Sequence, residues 1–126
     1  MKNSPLLIVL GEPNSIFSEI LFKTFKKKII QKFNRPVVLI GSEKLLKSQM
    51  KSLKYSVKIK NINRSDIKNK NINKKNLNIL NIDYRFKKPF DKITNSSKKY
   101  ISNCFKLALK LLKEKSAFAL INGPIS

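Results

Sequence analysis

Two short stretches carry residue types that could do chemistry. Gly11-Glu12-Pro13 follows the apolar run Leu6-Leu7-Ile8-Val9-Leu10, and Asn122-Gly123-Pro124 follows Ala117-Phe118-Ala119-Leu120-Ile121. Apolar runs of this length read as strands buried on both faces, and the carboxyl ends of such strands are where open α/β proteins place ligands. Gly11, Glu12, Pro13, Asn122, Gly123 and Pro124 are therefore the candidate substrate-cleft residues. Glu12 is the one carboxylate at such a strand end, in a turn stiffened by proline. A site role and a purely structural one, as partner of the next helix dipole, weigh evenly for it. No Gly-Lys-Ser/Thr follows Gly11-Glu12-Pro13-Asn14-Ser15, so this is not a P-loop. Two of the glycines that a pyrophosphate approach needs are also missing, so it is not a dinucleotide fingerprint. What remains is a helix start after a buried strand, an anion site of low specificity.

Other reactive groups are scarce. The sequence contains no histidine, which removes the commonest metal ligand and the commonest general base together. The seven acidic residues do not pair: Asp66, Asp83 and Asp91 fall in expected loops, Glu43 and Glu114 on helix surfaces, and Glu19 in a first helical turn. Cys104 is the single cysteine, so no internal disulfide exists; its place on an apolar helix face makes it a buried thiol rather than a nucleophile. No catalytic, metal-ligating or cofactor-binding residue is assigned within this chain.

The elements that position the two turns follow from periodicity. Leu6–Leu10 is the first strand. Asn14 or Ser15 caps the helix after it, whose inner face is expected to be Ile16, Ile20, Leu21 and Phe25, with Lys23, Lys26, Lys27 and Lys28 solvated. Val37-Val38-Leu39-Ile40 is a second buried strand closed by Gly41. Ser42 caps a helix from Glu43 to about Leu53, with Leu45, Leu46, Met50 and Leu53 inward. Tyr55 to Ile62 alternates as a third strand. Asn61 to Asn76, repetitive in Lys, Asn and Ile, reads as a loop or ragged edge. Leu77 to Ile82 is a further strand, and Asp83 to Thr94 a connection. Ser96 or Ser97 then caps the strongest helix, with Tyr100, Ile101, Cys104, Phe105, Ala108, Leu111 and Leu112 on one stripe. Ala117 to Ile121 closes the series as a last buried strand. Strands alternating with helices imply α/β architecture, a largely parallel sheet with right-handed crossovers.

Length and composition set limits. At 126 residues and 41% apolar content the chain suits one domain, with no run long enough to span a membrane and no signal-like start, so the cytoplasm is the default location. A net charge of +21 raises nucleic-acid binding as a reading. Against it, only Arg35, Arg64 and Arg85 are arginines, the lysines fall on every expected face, and no aromatic signature of an RNA-stacking sheet is present. Compositional drift toward Lys, Asn and Ile explains the charge more simply, with weak nonspecific polyanion binding at low salt. A small basic α/β module binding RNA or another polyanion is retained as the alternative function.

Read together, Leu10-Gly11-Glu12-Pro13, the helix starting near Ser18-Glu19-Ile20, Pro36-Val37-Val38-Leu39-Ile40-Gly41, Leu45-Leu46, and the long helix leading into Ala119-Leu120-Ile121-Asn122-Gly123-Pro124-Ile125-Ser126 resemble the opening of the 4-hydroxythreonine-4-phosphate dehydrogenase family. The resemblance departs at Asn14, Ser15, Phe17 and Ser18, where the family carries Ala, two Gly and Pro, and at Asn122, where Thr is common. It implies a partial three-layer α/β/α domain of the isocitrate/isopropylmalate dehydrogenase kind, incomplete at its carboxyl end. On this reading residues 1–126 form the N-terminal part of one domain, and a second domain and a returning segment are absent. It further implies oxidation and decarboxylation of a phosphorylated hydroxy-amino acid with NAD or NADP and a divalent metal, by a homodimer, on the route to pyridoxal phosphate. The family's substrate-binding His-Thr pair and metal-binding histidines would lie beyond Ser126. This chain alone is therefore expected to bind neither cofactor nor metal and to be inactive.

Overall fold

The computed structural model describes residues 4–69, 71–92 and 94–123. Five strands, β1 (Leu6–Val9), β2 (Val37–Gly41), β3 (Ile59–Ile62), β4 (Leu77–Asn81) and β5 (Ala119–Asn122), form one sheet in the order β3-β4-β2-β1-β5. Every pairing among them is parallel, with Leu6 opposite Val37 and Ala119, and Val9 opposite Ile40 and Asn122. Helices α1 (Phe17–Lys26), α2 (Glu43–Ser52), α3 (Arg64–Lys68) and α4 (Asn95–Lys113) complete the chain.

The alternation along each strand assigns the layers. Ile8, Leu10, Val37, Leu39, Leu77 and Ile79 pack on one face with Leu21, Phe22 and Phe25 of α1 and Leu46 of α2. Leu7, Val9, Val38, Ile40 and Leu80 pack on the other with Ile67 of α3 and Ile101, Cys104, Ala108 and Leu111 of α4. A parallel sheet covered on both faces is the expected three-layer α/β/α arrangement. Each fully buried large side chain, Phe22 or Leu39 for example, contributes about 1.5–3 kcal/mol from burial.

Several elements differ from their sequence expectations. Helix α1 has Ile16 as its N-cap with no side-chain cap, and Ser15 Oγ instead accepts from the Phe17 N–H at 3.3 Å. Its buried stripe is Ser18, Leu21, Phe22 and Phe25, whereas Ile16 and Ile20 are 70% and 46% exposed. Leu21 and Phe25 lie inward as expected, while Ser18 and Phe22 are buried in place of Ile16 and Ile20. Strand β3 is confined to Ile59–Ile62; Tyr55 and Val57 pack against the α1/α2 side without joining the sheet. Within the supposed loop after it lies α3, held by a capping box in which Asn63 Oδ1 accepts from the Asp66 N–H (2.9 Å) and Asp66 Oδ2 from the Asn63 N–H (3.0 Å). Helix α4 is capped by Thr94, with Ser97 as the reciprocal partner rather than the cap. The last strand is a half-exposed edge, not a buried strand, because β1 pairs with it on one side and no described strand pairs on the other. Ser42 caps α2 as expected, its Oγ accepting from the Leu45 N–H at 3.1 Å.

Candidate functional site

Parallel pairing of β1 with β5 sets the two turns side by side at the carboxyl edge of the sheet. The Gly123 N–H donates to the Val9 carbonyl at 2.8 Å, two residues before Gly11 turns the chain away. Gly11 has φ 79°, the left-handed region that a side chain would strain. Gly123 packs so closely that a Cβ there would run into the Leu10 carbonyl oxygen and lie 2.8 Å from the Phe17 ring. Glycine at 123 is thus what lets the second turn lie against the first.

Of the six candidate residues, five are brought together here. Gly11, Pro13 and Gly123 are buried, Glu12 is only 6% exposed, and Asn122 is exposed with its Nδ2 donating to the Gly123 carbonyl (3.0 Å). Pro124 lies outside the described residues. The Glu12 carboxylate lines a cavity of about 10 Å³ together with Ser15, Ser18 and Gln49, roughly the space one water needs. Ser18 Oγ is buried there with no hydrogen-bond partner.

Gln49 was not among the sequence candidates, yet it ties the site together. Its Nε2 donates to the Pro13 carbonyl at 2.6 Å and to the Pro89 carbonyl at 2.8 Å, joining the β1 turn and the 83–94 connection to α2. The available signal was a polar residue within the inner stripe Leu45, Leu46, Gln49, Met50. Tyr100 plays a comparable part from the other layer. Its hydroxyl accepts from the Ser42 N–H at 2.7 Å, close enough to Gly41 that a Cβ there would meet it at 2.7 Å. Burial drives the Tyr100 hydroxyl far above its ordinary range and pushes the Cys104 thiol up to about 12, so both are inert neutral groups. Tyr84 stacks on Tyr100 with ring centroids 4.5 Å apart; burial raises its pKa above 10.0, and the Asp91 and Glu12 carboxylates add to the shift.

The chain's residues do not fit the metal or the dinucleotide that the resemblance implies. Among the described residues no three of His, Cys, Asp and Glu converge, and the Gly11–Ser15 turn lacks the glycines of a pyrophosphate cradle. What the arrangement offers is a wall of backbone turns with one buried carboxylate. No helix among the described residues is long and apolar enough to cross a membrane.

Known proteins resemble this chain in sequence and in fold. The chain is 34% identical over 122 residues, 96% of its length, to the 4-hydroxythreonine-4-phosphate dehydrogenase of Sulfurihydrogenibium sp. (strain YO3AOP1), and spans 35% of that protein. Its fold superposes on a 4-hydroxythreonine-4-phosphate dehydrogenase from Burkholderia phymatum with a TM-score of 0.83 at 15% identity, covering 98% of this chain and 37% of the other. A putative enzyme of the same name from Salmonella typhimurium gives 0.79 at 18% identity, covering 98% and 38%. The chain thus spans little more than a third of these relatives. The family described as pyridoxal phosphate biosynthetic protein PdxA matches residues 32–126, well over half of the sequence, and this chain belongs to it.

Proposed function

We propose that this chain supplies the N-terminal part of the first α/β domain of an NAD(P)-dependent 4-hydroxythreonine-4-phosphate dehydrogenase. The observation that carries the reading is the match to an enzyme of that name over 122 residues, 96% of this chain, at 34% identity. The complete enzyme oxidises and decarboxylates a phosphorylated hydroxy-amino acid, as a cytoplasmic homodimer using a divalent metal. In it, Gly11, Glu12, Pro13, Asn122, Gly123 and Pro124 form one wall of the substrate cleft. Gln49 ties that wall to the 83–94 connection through the Pro13 and Pro89 carbonyls. The chain by itself is inactive, since its own residues offer neither a metal donor set nor a dinucleotide cradle.

The test is a chimera in which this chain replaces the matching N-terminal segment of the Sulfurihydrogenibium enzyme. Metal-dependent reduction of NAD or NADP with 4-phosphohydroxy-L-threonine is expected from the chimera, and none from the isolated chain. A folded, dimeric chimera without activity would overturn the assignment; turnover by the isolated chain would overturn its inactivity.

A further inference from the structure

Charge is polarised along the strands. Because each helix carries the chain back between parallel strands, helix starts lie at the carboxyl edge with the two turns, and helix ends lie at the opposite, amino edge. Six of the seven carboxylates stand at the carboxyl edge: Glu12, Asp83 and Asp91 in connections that leave strands, and Glu19, Glu43 and Asp66 in first helical turns. The seventh, Glu114, sits at the end of α4 and pairs with Arg64 at 3.2 Å. The amino edge is rich in lysine by contrast. Lys28, Lys54 and Lys115 have φ 59°, 61° and 61°, each just past the end of α1, α2 or α4. Each closes a Schellman motif, as in the bonds from the Lys28 N–H to the Phe25 carbonyl (2.9 Å) and from the Ile29 N–H to the Thr24 carbonyl (3.0 Å). Glycine takes this left-handed position without strain, yet a cation occupies it at the end of all three longer helices.

We propose that this amino edge is a docking face for an anionic lipid surface. The reading goes beyond the dehydrogenase assignment and uses none of the cleft residues. Loops that join helix ends to the next strands supply the rest of the face. Lys74 Nζ donates to the Phe33 and Asn34 carbonyls at 3.0 and 3.3 Å, and Lys26 Nζ lies 5.9 Å from the Tyr55 ring centroid. These contacts bring the 26–35, 54–58 and 73–76 segments together. Ile29, Phe33 and Phe118 are exposed at this edge. Lysines around exposed aliphatic and aromatic side chains suit the headgroup boundary, where the apolar groups enter the acyl layer and the ammoniums stay with the phosphates. Nucleic acid fits less well. The arginine of this face, Arg35, is engaged with the Ser4 carbonyl at 3.2 Å and the Phe118 ring at 3.7 Å, and Ile29 has no π face to stack on a base. A lysine ammonium needs no fixed partner geometry, which matches mobile headgroups.

The experiment is a vesicle titration of the full chain at neutral pH and physiological salt. One set of vesicles holds phosphatidylglycerol and phosphatidylcholine in equal parts, and the other phosphatidylcholine alone. Saturable binding is expected with the first and none with the second. Lys28→Gly, Lys54→Gly and Lys115→Gly together should weaken it about a hundredfold, at about fivefold for each lysine near an anionic surface. Glycine is the residue that a left-handed position after a helix prefers, so this triple variant keeps its fold. Lys98→Gln, Lys99→Gln and Lys106→Gln together remove equal charge from the exposed flank of α4 and should weaken binding less than about threefold. The sequence has no tryptophan, so Phe33→Trp provides a single reporter whose emission should shift to the blue on the anionic vesicles. Equal losses from the two triple variants would overturn the face and leave only diffuse attraction to a basic chain. Unshifted emission from Phe33→Trp on bound vesicles would overturn it as well. So would tighter binding of a single-stranded RNA oligonucleotide that the glycine variant abolishes, which would reassign the face to nucleic acid.

Discussion

Gly41 and Tyr100 should show strong coupling, because one occupies the space the other needs. A Cβ built on Gly41 lies 2.7 Å from the Tyr100 hydroxyl and 2.5 Å from Leu10 Cδ1. Gly41→Ala therefore overpacks the carboxyl end of a central strand, at a cost of about 1–3 kcal/mol. Tyr100→Phe removes the hydroxyl that accepts from the buried Ser42 N–H at 2.7 Å and leaves that amide without a partner, also costing about 1–3 kcal/mol. Independent effects would sum to about 2–6 kcal/mol. They are not independent: with the hydroxyl gone, the rigid obstacle disappears, and the Leu10 methyl can rotate aside. In the Tyr100→Phe background, Gly41→Ala should cost less than about 1 kcal/mol, so the double variant falls about 0.5–2 kcal/mol short of additivity. Urea denaturation followed by circular dichroism on all four proteins measures this, provided the slope stays constant. Additivity within about 0.3–0.5 kcal/mol would refute the reasoning, showing that Leu10 alone absorbs the methyl and that Tyr100 does not confine Gly41.

Three further outcomes follow from the same geometry. Gln49→Ala leaves the Pro13 and Pro89 carbonyls without their shared donor and should cost about 1–3 kcal/mol while speeding tryptic nicking at Arg85 and Lys87; unchanged stability and nicking would remove Gln49 as the tie between the two loops. Ser18→Ala deletes a buried hydroxyl that has no hydrogen-bond partner, at a helical position, and should be neutral or stabilising within about 1 kcal/mol; a loss above about 2 kcal/mol would mean that the hydroxyl holds a water in the adjoining cavity. Cys104, raised from 9.0 to about 12, keeps its proton in the folded state where the unfolded chain has lost it, so folding stability should fall as pH rises from about 9 toward 12; Cys104→Ala should flatten that slope, and native Cys104 should resist thiol reagents until the chain unfolds. A thiol that reacts at the same rate folded and unfolded would contradict its burial.

Much of the architecture was legible in local pattern. The continuous apolar runs at Leu6–Leu10 and Val37–Ile40 and the stripe from Tyr100 to Leu112 fold as read, because a strand covered on both faces and a long amphipathic helix announce themselves by period alone. The short helix α3 was hidden among Lys and Asn because five residues carry too little period, although its Asn63-to-Asp66 capping spacing was there to be read. The phase of α1 was misjudged for a different reason. Ile16 and Ile20 are apolar at helical spacing with Leu21 and Phe25, but the face that packs on the sheet runs through Ser18, Leu21, Phe22 and Phe25 and leaves them exposed. Helical spacing states which residues share a face; it does not state which face is covered.

The residue types at the site were set by sequence alone: a strand end needs Gly11 for its positive φ, and the absence of histidine excludes a histidine-ligated metal from this chain whatever its fold. That Gly11 and Gly123 stand side by side was decided only in three dimensions. It depends on α4 carrying the chain back across the sheet so that β5 pairs with β1, and on the hydrogen bond from the Gly123 N–H to the Val9 carbonyl that follows. The edge position of β5 and the junction made by Gln49 have the same origin. Each is a contact between segments distant in the chain, set by which strands pair and which layer each helix joins, and the period of a single segment carries no record of its neighbours.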